Sequence, residues 1–77
     1  MPKHDNDFLK WFGGRLREIR HQEGLSQEQL AELAGIDRTY VGGVERGERN
    51  LSILNVKRLA NALGINLKEL FDGDFQR

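Results

Sequence analysis

The sequence predicts an all-α fold of five short helices, and three observations carry that prediction. Apolar residues recur at helical spacing, as in Val56, Leu59, Ala60 and Leu63, while no segment alternates with the period of two that a strand needs. Four helix starts share one local chemistry. Ser26, Asp37, Ser52 and Asn66 are short polar residues able to accept from the first free backbone amides, and each is flanked by aliphatic residues placed as a hydrophobic staple. Gly24, Gly35 and Gly64 stand just past expected helix ends.

Taken in order, Met1 to Asn6 reads as a loose terminus and Asp7 as the cap of a first helix over about 8–22. Leu9, Phe12, Leu16 and Ile19 mark its buried stripe, with Phe8 and Trp11 added to the core or to a partner surface, the core being favoured. Gly13-Gly14 is expected to interrupt it, and Lys10, Arg17 and Arg20 form a solvated face. Ser26 and Gln29 make a capping box that opens the second helix, whose apolar positions are Leu30, Leu33 and Ala34. Ala34-Gly35-Ile36 breaks the period, Asp37 caps a third helix, and Ile36 and Val41 are its staple. Two short helices joined by so tight a turn read as a helix-turn-helix. After the polar Glu48-Arg49-Asn50, Ser52 caps a fourth helix with the staple Leu51 and Val56. Asn66 and Glu69, flanked by Ile65 and Leu70, repeat the capping box for a short last helix ending near Asp72.

Seventy-seven residues make one domain, 1–77, with a core over about 8–72. At this size a single core is only marginally sufficient, and pairing with a second copy is a common remedy. The absence of cysteine excludes disulfides and thiolate metal sites and agrees with a cytoplasmic setting. No stretch resembles a signal peptide or a membrane span. Twelve basic and twelve acidic residues leave no net charge, which weighs against a purely electrostatic nucleic-acid binder. Between Leu25 and Asn50 three arginines face five carboxylates. An enzyme is disfavoured, since the histidines are only His4 and His21 and no acid-base constellation surrounds either. No cofactor, no metal and no small-molecule ligand are expected, one small core leaving little room for a sensor site.

The third helix segregates its chemistry. At about 100° per residue from Arg38, Val41 and Val44 project to one side, while Arg38, Thr39, Gly42, Gly43 and Arg46 project to the other. A glycine inside a helix costs about 1 kcal/mol relative to alanine, so something besides helix stability favours the pair. Two readings stand: a helix lying close against a polar surface, or a neighbouring helix that must approach closely.

Gln27, Ala31, Gly35, Ile36, Val41 and Val44 give the chain its resemblance to the lambda-repressor-like, or Xre-type, helix-turn-helix family, over roughly Phe8 to Phe71. Asp37-Arg38-Thr39-Tyr40-Val41, Val44-Glu45-Arg46 and Arg49-Asn50-Leu51-Ser52 look most like the controller proteins of bacterial restriction-modification systems. The resemblance implies a five-helix DNA-binding domain that places its third helix in the major groove of double-stranded DNA and binds a partly palindromic operator as a homodimer. It assigns Arg38 to a guanine edge, which its planar fork matches, and Thr39 to a thymine methyl or base edge. Tyr40 reaches a base or a phosphate, or packs half-buried. Gly42 lets the helix into the groove. Arg46, Arg49, Asn50 and Ser52 become phosphate ligands, with Gly43 among them and Arg15 a further candidate. Gln27 joins a backbone amide at a helix N-terminus in holding a phosphate. The competing reading of Arg46 and Arg49 is surface pairing with Glu45 or Glu48.

Ile65, Leu67, Leu70, Phe71 and Phe75 exceed what one short terminal helix can turn into the core, so they are read as the dimer interface. The alternative function is an antitoxin or other protein-binding module of the same family, with DNA binding secondary.

Overall fold

Local capping sets where four of the five helices begin. The computed structural model describes residues 3–73 and contains α1 (Lys3–Gln22), α2 (Gln27–Ala34), α3 (Arg38–Glu45), α4 (Ile53–Leu63) and α5 (Leu67–Leu70), with no strand among the described residues. Ser26 Oγ accepts from the Gln29 amide at 3.0 Å while Gln29 Oε1 accepts from the Ser26 amide at 2.8 Å. Asn66 and Glu69 exchange the same reciprocal pair. Asp37 Oδ1 accepts from the Thr39 amide at 2.7 Å and Ser52 Oγ from the Asn55 amide at 3.1 Å. Such caps contribute about 1 kcal/mol each, which matters for helices too short to persist alone.

The turn between α2 and α3 depends on Gly35, whose φ of 70° lets the Ile36 amide reach back to the Ala31 carbonyl at 3.0 Å. Ile36 is thereby laid against the core and Asp37 is left extended to start α3. Phe12, Leu16 and Ile19 of α1, Leu30, Ala31 and Ala34 of α2, Val41 and Val44 of α3, the α4 stripe and Leu70 meet in one cluster. Leu16, Leu30, Leu59, Leu70, Val41 and Val44 lose essentially all solvent contact, each such burial being worth about 1.5–3 kcal/mol.

Four expectations are corrected. The first helix starts at Lys3, so Asp7 lies inside it rather than capping it; Asp5 occupies the first turn, where a carboxylate suits the positive end of the helix dipole. Gly13-Gly14 does not interrupt α1. Gly13 is where the end of α3 rests on α1: a Cβ there would stand 2.6 Å from the Glu45 carbonyl oxygen and nearer still to that of Val44, so packing offsets the propensity cost. Leu33 is exposed, because Leu30, Ala31 and Ala34 already fill the one face an eight-residue helix turns inward. Arg20, expected on a solvated face, is buried.

Candidate nucleic-acid interface

The buried Arg20 holds α3. Its side chain is 8 % exposed and that of Glu45, at the end of α3, 4 %. Arg20 Nε donates to Glu45 Oε2 at 2.6 Å and Nη2 to Oε1 at 2.9 Å, a bidentate fork, while Nη1 donates to the Leu25 carbonyl at 2.9 Å. Gln27 Nε2 adds a bond to Glu45 Oε1 at 3.0 Å. One carboxylate thus ties α1, the entry of α2 and the exit of α3 together. Burial pushes the Glu45 carboxyl up, but the hydrogen bonds from Arg20 and Gln27 and the charges of Arg20 and Arg17 outweigh it and hold the carboxyl below its usual range. The bond to Glu45, against burial, raises Arg20 in turn.

With α3 fixed, Arg38 and Thr39 stand exposed on its first turn. Arg38 Nε lies 3.6 Å from Glu28 Oε1, both largely in solvent, and Arg46 Nε donates to Glu48 Oε1 at 3.1 Å. The pairing reading for Arg46 therefore holds with Glu48, whereas Glu45 is already engaged by Arg20. Exposed pairs of this kind are worth about 0–1 kcal/mol, so neither keeps its arginine from a stronger partner such as a phosphate or a guanine edge. Among the described residues Arg49 pairs with no carboxylate; its guanidinium sits 5.8 Å from the centroid of the half-buried Tyr40 ring. Asn50 and Ser52 are exposed in the following loop, the Ser52 hydroxyl already accepting at the cap of α4.

Gly42 and Gly43 are buried rather than open on the α3 surface. Arg15, the further phosphate candidate, bonds Glu18 at 2.8 Å and the Glu69 carbonyl at 2.9 Å, which joins α1 to α5. Gln27, besides holding Glu45, is half-buried at the start of α2 with its Oε1 near Gly42.

A family model described as helix-turn-helix (HTH_3) matches residues 16–70, which span this whole arrangement. The chain belongs to the HTH_3 helix-turn-helix family. With that membership comes the coarse role of a DNA-binding transcriptional regulator. This HTH_3 chain is similar to the control protein C.MunI of Mycoplasma sp, 42% identical over 67 residues that cover 86% of this chain and 90% of that protein. It is 47% identical over 73 residues to the control protein C.SmaI of Serratia marcescens, covering 91% and 87%. The crystal structure of the restriction-modification controller protein C.AhdI from Aeromonas hydrophila superposes with a TM-score of 0.81 at 62% identity, covering 82% of this chain and 96% of that one. The expected five-helix, lambda-repressor-like fold is met.

Of the apolar residues expected at an interface, Leu67 and Phe71 are 40 % and 39 % exposed, Ile65 is half-buried against the core, and Phe75 lies outside the described residues. Leu70 is corrected: it points inward and is wholly buried, because the capping box at Asn66 turns that side of α5 onto the core. Two residues were missed. Ile53 and Leu54, just after the Ser52 cap, are 76 % and 53 % exposed. The signal was present in the sequence, since both lie off the stripe of Val56, Leu59, Ala60 and Leu63. Among the described residues no helix is long and apolar enough to cross a membrane, and no group of metal-ligating side chains assembles.

Proposed function

We propose that this chain is a restriction-modification controller protein that binds a partly palindromic operator as a homodimer. The observation that carries the reading is an α3 locked from behind by Arg20 and Glu45, with Arg38 and Thr39 presented to solvent on its first turn. Arg38 reads a guanine edge and Thr39 a base edge or methyl, giving up only a weak exposed pair with Glu28. Arg46, Arg49, Asn50, Ser52 and Gln27 hold phosphates and set the register.

The second copy docks through the exposed Leu67 and Phe71 and through Ile53 and Leu54, the most exposed aliphatic residues of α4. A symmetric contact of that kind buries the same patch twice and sets two recognition helices about 34 Å apart, one turn of DNA. The single domain, cytoplasmic and free of any cofactor or small-molecule ligand, then responds to its own concentration through dimer formation. Selection of bound duplexes from a random pool tests this: a two-fold symmetric consensus supports it, and a consensus without symmetry, or none, refutes it. Placing the selected operator upstream of a reporter shows whether transcription responds.

A further inference from the structure

Gly43, in the last turn of α3, is buried although it carries no side chain. Its cover is Arg49. A Cβ on Gly43 would meet Arg49 Cγ at 2.8 Å, Nε at 3.1 Å and Cδ at 3.5 Å, so the arginine stem lies flat across the glycine. The chain is brought back there by Gly47, at φ 77°, which lets the Glu48 amide donate to the Gly43 carbonyl at 2.9 Å and the Gly47 amide to the Val44 carbonyl at 3.0 Å. Beyond the glycine, the guanidinium comes to rest over Tyr40. Three features from different parts of the segment therefore converge on one side chain: a reversal that returns it, a bare backbone that receives its stem, and a ring that receives its head.

We infer that Gly43 is a positioning residue for DNA binding, its missing side chain forming a seat that holds Arg49 ready before DNA arrives. The inference rests on the reading of Arg49 as a phosphate ligand. A free arginine loses its rotamer freedom on meeting a phosphate, whereas a seated one has already lost it; the difference amounts to roughly two- to tenfold in affinity for one such side chain. Tyr40 belongs to the same device: packed against the core on one side, it offers its ring to the Arg49 guanidinium.

The test is Gly43→Ala in the full chain. The atoms a methyl displaces belong to the Arg49 side chain and not to backbone, and alanine is the better helix former, so the variant folds with the arginine moved off its seat. The upfield shift that the Tyr40 ring imposes on the Arg49 side-chain protons is expected to disappear. Affinity for a duplex selected from a random pool falls roughly two- to tenfold in the parent background and does not fall further in an Arg49→Ala background. Equal losses in both backgrounds would mean that the methyl itself meets DNA and would overturn the inference. So would an unchanged affinity for Gly43→Ala beside a weakened Arg49→Ala. If Arg49→Ala alone binds as tightly as the parent, the phosphate reading fails and takes the inference with it, a result distinct from the other two.

Discussion

Replacing Arg20 with methionine should destabilise the protein far more than any surface arginine substitution. The variant leaves Glu45 buried with the Gln27 amide as its remaining hydrogen-bond donor in place of a bidentate guanidinium, and it frees the Leu25 carbonyl as well. Breaking a buried pair from one side costs about 3–5 kcal/mol. A chain of this length has roughly 4–12 kcal/mol of stability in total, so the loss removes a large share of it. At about 4–8 °C per kcal/mol for a small domain, the melting temperature falls by at least roughly 12 °C. Circular dichroism melts at neutral pH measure this directly. The double variant Arg20→Met, Glu45→Met should recover most of the loss, because it leaves no charge stranded in the interior. Acid supplies an independent check. Glu45 titrates below the usual carboxylate range in the fold, so its contribution is complete above the unfolded value of about 4.3 and is lost as pH falls through the lower folded value. The parent should therefore lose stability below about pH 4 through this group, and the double variant should lack that component. A single-variant loss under about 1 kcal/mol, the size of a surface pair, or a double variant no better than the single one, would refute the reasoning.

Arg38→Ala is expected to lower affinity and relax preference at one base position by about 1–3 kcal/mol, whereas Arg49→Ala weakens all sequences evenly; titrations against single-mismatch duplexes separate the two. Gly13→Ala should destabilise by about 1–3 kcal/mol or more, since the methyl meets the Val44 and Glu45 carbonyls, while its neighbour Gly14→Ala, facing open space, should stabilise by up to about 1 kcal/mol in urea denaturation. Leu54→Asp and Phe71→Asp should shift the protein to monomer in sedimentation at tens of micromolar, roughly where a weak dimer persists; variants that sediment like a dimeric parent would place the partner surface elsewhere.

What the sequence made legible follows from how far apart the interacting residues are. The caps at Ser26, Asp37, Ser52 and Asn66 join residues two or three positions apart, and all four form as read. The α4 stripe was equally visible, since helical periodicity is a local property. Arg20 was misread because its partner lies 25 residues away, and nothing in the neighbourhood of Arg20 announces a buried carboxylate. Gly13 was misread for the same reason: it appears as a weak point in α1 until α3 is set against it. Gly42 and Gly43 were singled out as unusual, yet their covers were not legible: Gln27 reaches Gly42 only when α2 is set against α3, and Arg49 reaches Gly43 only once the chain has turned at Gly47. The surface-exposed Arg38 and Thr39 required no such knowledge, being placed by one helix and one cap.

The burial of Glu45 also changes how the molecule meets bulk DNA. A count along the motif finds more carboxylates than arginines, but Glu45 is neutralised inside by Arg20 and Asp37 is engaged at a helix start. The surface carries a balanced set instead, Arg38, Arg46 and Arg49 interleaved with Glu28, Glu32 and Glu48, on a chain of zero net charge. Beyond a screening length of about 8 Å such a pattern exerts little pull on a polyanion. Encounter is then unsteered, and the pull on unrelated sequence is weakened further because Arg38 and Arg46 each give up a nearby carboxylate on meeting a phosphate. A regulator made in small numbers is not soaked up by the genome under those conditions, and its free concentration follows the amount synthesised.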